Sequence, residues 1–257
     1  MGIEFIRKVD KHEIPVCPIM GVNIAAVDMK WLLNYTKKNI KALSGDYMCV
    51  ANVHTTVTAY EDNKYRIVQN GGIMAIPDGG PLSAIGRKRG YKNMNRITGP
   101  SYMERILKDS VKSGWKHYFY GSTEETLEKL KVILEKNYQG IQIAGMYSPP
   151  FRPMTDNEEL ENIKRINEAK ADFIWVGLGA PKQEKWMALH QGRIDGFMVG
   201  VGAAFDYFVG NIKRAPKWMQ ACNMEWFYRL MQEPKRLFGR YWHTNTMFIW
   251  YAYILGK

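Results

Sequence analysis

Residues 171–186 read Ala-Asp-Phe-Ile-Trp-Val-Gly-Leu-Gly-Ala-Pro-Lys-Gln-Glu-Lys-Trp, and this stretch constrains the fold more than any other. An apolar run ends on two glycines, and Pro181 stands where a first helical turn would begin. Proline is tolerated there because the amide proton it lacks has no helical partner at that position anyway. The segment therefore reads as a buried strand feeding a helix N-terminus. Free N–H groups, the helix dipole, Lys182 and Lys185 would converge on one point, which suits a phosphate. An ordinary strand–helix turn that binds nothing has the same sequence pattern. The turn is not a dinucleotide fingerprint, since Lys182 stands where a third glycine is expected.

The same alternation runs along the chain. Short apolar runs at 47–53, 73–76, 117–120, 141–147, 171–178 and 196–201 are separated by helix-like segments near 26–44, 55–70, 101–114, 123–137, 155–169 and 181–191. This predicts an α/β fold, a mostly parallel Rossmann-like sheet covered by helices on both faces. Ser122-Thr-Glu-Glu125 and Thr155-Asp-Asn-Glu158 read as capping boxes that open the fourth and fifth of those helices. A compositional break near 211–217 predicts a core at 1–210 and a C-terminal helical appendage at 211–257. Pro234 starts a second helix within the appendage. Truncation after Arg214 is expected to spare folding and abolish function.

At 257 residues and 46% hydrophobic content the chain can bury a large core. It has no export signal and no run of roughly 18 apolar residues, and its three cysteines are scattered. A cytoplasmic protein is expected. The net charge of +11 is uneven: residues 211–257 hold eight Lys/Arg against Glu225 and Glu233. Interleaved with them are Trp218, Trp226, Phe227, Tyr228, Phe238, Tyr241, Trp242, Phe248, Trp250, Tyr251 and Tyr253. This mixture describes a segment lying on an anionic membrane surface. A single-strand nucleic-acid platform uses the same residue types, and a homo-oligomer with this segment between subunits is a third way to cover it.

In open α/β sheets, ligands bind beyond the carboxyl ends of the strands. Asn52 and His54 follow one such run, Asp78 another, and Gln183 and Asp206 two more. Asp78, in Pro-Asp-Gly, is either a turn residue bonding its own backbone or a general base. His54 is the rival base. Asn52 and Gln183 carry amides able to meet sugar hydroxyls or a uracil edge, or to cap backbone groups. Arg96 can clamp a diphosphate or stand on the surface. Arg229, Arg236 and Arg240 would form one stripe on a continuous helix, a phase that Pro234 interrupts. The chain has no Asp-x-Asp and no P-loop, so charge on a leaving diphosphate must be met by arginine, lysine and backbone N–H groups.

Ile-Pro-Asp-Gly, Asn-Arg-Ile-Thr-Gly, Gly-Leu-Gly-Ala-Pro-Lys-Gln-Glu-Lys-Trp, Gly-Val-Gly-Ala-Ala-Phe-Asp and Arg-Ala-Pro…Glu-Trp-Phe-Tyr-Arg-Leu…Glu-Pro-Lys-Arg occur in this order from about Gly21 to Arg240. This set resembles the WecG/TagA/CpsF glycosyltransferases (family 26). The resemblance implies transfer of a sugar from a UDP donor to a polyprenyl-diphosphate-linked saccharide at the inner face of the cell membrane. It implies inversion without a metal or other cofactor. The best-known members add N-acetylmannosamine or its uronic acid. The resemblance implies that Asp78 is the base and Arg96 the core arginine. Asn52, His54, Lys182, Gln183, Asp206 and Tyr147 would contact substrate, and Arg229 and Arg236 would complete the site. Arg240 matches a third tail arginine displaced by one position. Teichoic-acid members read Thr-Pro-Asn where this chain reads Val50-Ala51-Asn52, and they differ over Tyr147-Ser-Pro-Pro-Phe-Arg152. UDP-glucose or a UDP-uronic acid in exopolysaccharide assembly is the alternative donor reading. A basic nucleic-acid-binding protein is the rival class, although on the resemblance no nucleic acid is expected as a partner. Asp78, Arg96 and Gln183 argue against a scaffold without catalysis.

Overall fold

The computed structural model describes residues 5–256, so Lys257 and the first four residues lie outside the described residues, as does the Tyr253 side chain. The chain opens with a hairpin of β1 (Val16–Ile19) and β2 (Val22–Ala25), followed by α1 (Met29–Asn39). Next come β3 (Tyr47–Ala51), α2 (Val53–Glu61), α3 (Asn63–Gly71), β4 (Met74–Pro77), α4 (Gly80–Lys88) and α5 (Gly99–Ser113). The second half holds β5 (Lys116–Gly121), α6 (Glu124–Asn137), β6 (Gln142–Tyr147), α7 (Asp156–Glu168), β7 (Phe173–Gly177), α8 (Lys182–Leu189), β8 (Phe197–Gly200) and α9 (Ala204–Val209). The tail forms α10 (Lys217–Ala221), α11 (Glu225–Gln232) and α12 (Pro234–Phe248), which runs into a π-helical turn, Ile249–Ile254.

One sheet of eight strands has the order β1-β2-β4-β3-β8-β7-β5-β6. Every pairing is parallel except β1 with β2. The predicted α/β sheet is thus present, with an antiparallel edge that the sequence reading missed. Met20 and Gly21 both take positive φ (49° and 78°), the geometry of a two-residue hairpin turn. Methionine gives no turn signal, and here its burial in the core offsets the strain of the turn.

Alternate strand residues point to two apolar layers. Tyr47, Cys49, Ala51, Ile174 and Val176 face α2, α3, α4, α7 and α8, while Met48, Val50, Phe173 and Trp175 face α1, α5, α6 and α9. Burial on both faces explains why these strands read as continuous apolar runs. Phe248 of α12 and Ala252 of the π-helical turn belong to the first layer, and Leu237 is fully buried. Removing the chain after Arg214 would therefore uncover core surface, contrary to the expectation that folding would be spared.

Three local expectations need correction. The helix expected near 55–70 is two, broken where Asp62 caps α3 by accepting from Lys64 N and Tyr65 N. The cap of α6 is Thr123, not Ser122, which sits outside the helix at φ 62°. Helices α4 and α9 were not anticipated. The capping box of Thr155 with Glu158 is present.

Candidate active site

The strand order reverses between β4 and β5, which lie on opposite sides of the β3–β8 pair, and such a reversal opens a crevice at the carboxyl ends. A cleft of about 1190 Å³ occupies that position. Its floor is the loops after β3, β4, β7 and β8, and its outer wall is α11, α12 and the π-helical turn. Asn52, His54, Asp78, Arg96, Lys182, Gln183, Asp206, Arg229, Arg236 and Arg240 all line it.

Tyr147 does not. It lies at the end of edge strand β6 and lines a separate hollow of about 580 Å³, with Arg165 stacked 4.5 Å above its ring. The expected substrate role at the main cleft is therefore withdrawn.

Asp78 is fixed by its backbone. Its N–H donates to Ala51 O at 2.8 Å, and its carbonyl accepts from Arg96 Nε at 2.8 Å. Its carboxylate does not cap the following helix, whose N-cap position, Gly79, has no side-chain cap. Gly80 is required beside it, because a Cβ there would stand 2.2 Å from Asn223 Cγ of the tail. Burial pushes the Asp78 carboxyl up to about 6, against the pull of Arg96. Burial pushes His54 down to about 4, helped by Arg240 and His243, so its imidazole is neutral at physiological pH. The lower basicity makes it the weaker base of the two.

The amides are more committed than their residue types suggest. Asn52 caps α2, with Oδ1 accepting from Thr55 N at 3.1 Å. Gln183 is buried; its Oε1 accepts from Gly202 N at 2.9 Å and its Nε2 donates to Glu184 Oε1 at 2.8 Å. Of the two lysines expected at the α8 N-terminus, only Lys182 borders the cleft; Lys185 stands 5.9 Å from the ring of Tyr65.

Asp206 Oδ1 accepts from Asn211 Nδ2 at 3.2 Å. The tail arginines do not form one helical stripe: Arg229 is on α11, and Arg236 and Arg240 are on α12, yet all three converge on the cleft. Arg229 donates to Tyr207 Oη at 2.9 Å, and Glu233 pairs with both Arg229 (3.4 Å) and Arg236 (2.5 Å). Arg240 Nε is buried without a hydrogen-bond partner, and burial beside Arg236 and Arg229 lowers its pKa.

The chain matches the Glycosyl transferase WecG/TagA/CpsF family over residues 17–256. It belongs to that family. An N-acetylglucosaminyldiphosphoundecaprenol N-acetyl-beta-D-mannosaminyltransferase of Bacillus subtilis (strain 168) is 30% identical over 206 residues, covering 79% of this chain and 78% of that protein. A protein of the same description from Staphylococcus aureus (strain MW2) is 27% identical over 222 residues, covering 85% of each.

As a WecG/TagA/CpsF glycosyltransferase, the chain builds its cleft with several residues that sequence reasoning passed over: Tyr207, Asn223, Glu225 and Glu233. Glu225 and Glu233 carried a signal, being the only two acids in a strongly basic stretch. Among the described residues, no three His, Cys, Asp or Glu side chains gather as metal ligands, and no helix is long and apolar enough to cross a membrane.

Proposed function

We propose that this glycosyltransferase moves N-acetylmannosamine, or a closely related hexose, from a UDP-sugar to a polyprenyl-diphosphate-linked N-acetylglucosamine, with inversion and without a metal. The printed activity of the Bacillus and Staphylococcus relatives supports the sugar and the acceptor. One observation carries the mechanism. A carboxyl held near pH 6 stands at the carboxyl end of β4, in a cleft whose other charged groups include Arg96, Arg229, Arg236 and Arg240. A general base works best when its pKa lies near the working pH.

In this reading Asp78 takes the proton of the acceptor hydroxyl as that oxygen bonds to the anomeric carbon. The bond from that carbon to the diphosphate oxygen breaks, and UDP departs with the electron pair. The guanidinium groups stabilise the charge that builds on the diphosphate. Gln183 shapes the cleft through Gly202. Trp218, Trp226, Phe238, Trp242 and Trp250 are exposed on the tail. With its lysines and arginines they form a surface suited to the cytoplasmic face of an anionic membrane, where the lipid acceptor resides.

The test is UDP release from a lipid-diphosphate N-acetylglucosamine analogue with a panel of UDP-sugars in EDTA. Turnover that disappears in Asp78→Asn, and is fastest with UDP-N-acetylmannosamine, is the expected result. Preference for UDP-glucose or a UDP-uronic acid would correct the donor. Turnover retained by Asp78→Asn would remove Asp78 as the base.

A further inference from the structure

Glu225 has no role in the chemistry above, yet it is the anion most closely engaged with Arg96. Its Oε2 accepts from Arg96 Nη2 at 2.5 Å, and its Oε1 lies 3.6 Å from Arg214 Nε. Its side chain is 14% exposed. Arg96 is held at two further points: Nε donates to the Asp78 carbonyl at 2.8 Å and Nη1 to Gln220 O at 3.4 Å. The carboxylate of Asp78 is left 3.9 Å from the same Nη2. Arg96 is thus anchored to the backbone of the residue read as the base, while its charge is spent mainly on the tail.

Resting on the assignment of Asp78 as base, we infer that Glu225 is a positioning residue: it draws the Arg96 guanidinium off the Asp78 carboxylate and so leaves that carboxylate free to accept a proton. A carboxylate paired closely with arginine is held ionised and is a poor base at neutral pH. Without the Glu225 charge, Nη2 has the Asp78 carboxylate as its nearest acidic alternative. The groups facing Asp78 are Arg96 from the loop before α5, Arg214 from the loop before α10, Glu225 and Arg229 from α11, and Tyr207 from α9. Around the rest of the cleft stand His54, Lys182, Asp206, Glu233, Arg236 and Arg240. Arg96, Arg214 and Arg229 favour the ionised carboxylate, whereas Glu225 opposes it together with burial.

The experiment is a carboxyl NMR titration of the full chain labelled at aspartate ¹³Cγ, with the Asp78 resonance assigned by its loss in Asp78→Asn. In Glu225→Gln the Asp78 midpoint is expected to fall by about one pH unit, and in Glu225→Asp to stay near wild type. The acid limb of kcat/KM should move with it. The remaining aspartate resonances report whether each variant is folded. A Glu225→Gln midpoint equal to wild type, with Asp78→Asn inactive, overturns this proposal alone. A midpoint that falls as far in Glu225→Asp as in Glu225→Gln also overturns it. Turnover retained by Asp78→Asn overturns the base assignment and this proposal with it.

Discussion

Gln183 Oε1 accepts the backbone N–H of Gly202 at 2.9 Å, so the first turn of α8 and the loop after β8 are held as one wall of the cleft. Gln183→Ala leaves that N–H and the buried Glu184 carboxyl without a partner. An unsatisfied buried polar group costs about 1–3 kcal/mol. The urea midpoint should fall accordingly, and KM for the UDP-sugar should rise. An unchanged midpoint would show that Gly202 finds another acceptor.

Asp78 makes stability depend on pH in a predictable sense. Its carboxyl titrates at about 6 in the fold against 3.8 for the free group, so the folded state binds the proton more tightly. Stability from this group is present below the lower value and is lost as pH rises through the higher one. Asp78→Asn should therefore stabilise the protein by about 2 kcal/mol above neutral pH and by almost nothing at acid pH. Denaturant curves at the two extremes decide it, and an equal gain at both would contradict the shift.

His54 acts in the opposite direction. Its imidazole is pushed down to about 4 from 6.5, so the unfolded chain takes up the proton first as pH falls. The neutral form contributes stability above the higher value, and that stability disappears as pH drops toward the lower one. Thermal melts of His54→Gln across this range should show a shallower acid loss than wild type. Parallel curves would place the acid sensitivity elsewhere.

The tail arginines should matter to turnover. Arg229→Ala and Arg236→Ala are each expected to lower kcat by roughly tenfold to a thousandfold, the usual effect of removing a donor that meets developing charge. Arg236→Lys should restore only part, because an ammonium cannot make the forked contact. Wild-type rates in Arg236→Ala would take α12 out of the catalytic wall.

The exposed aromatics predict membrane docking. Trp242 is 70% exposed and Trp218 62%. Replacing both by glutamate should abolish co-sedimentation with phosphatidylglycerol vesicles while leaving the circular dichroism spectrum unchanged. Retained binding would assign docking to the lysines and arginines alone.

The sheet was legible because strands buried on both faces write themselves as apolar runs, as β3 and β7 do. The hairpin of β1 and β2 was not, since its turn uses Met20 in a conformation methionine rarely adopts. Residues at strand ends were legible as a site: Asp78 and Asn52 share the cleft as their positions imply. What their side chains do there was not, because Asn52 and Gln183 spend their amides on backbone groups fixed by tertiary packing. Tyr147 misled for a related reason. It ends a strand like the others, but β6 is an edge strand remote from the reversal point. Glu225 and Glu233 could be flagged by charge alone, but their partners lie on other elements or across a helix break.

The wall formed by Arg229, Arg236, Arg240 and Phe248 comes from the last part of the chain to be synthesised. Every strand of the sheet, and Asp78 with Arg96, precedes it. A nascent polypeptide can thus complete its sheet on the ribosome while the cleft still lacks one side. In that interval it has a place for a base but no tail arginines to meet a diphosphate. The order of translation alone keeps such a chain from acting on lipid carriers before its final helix has been released.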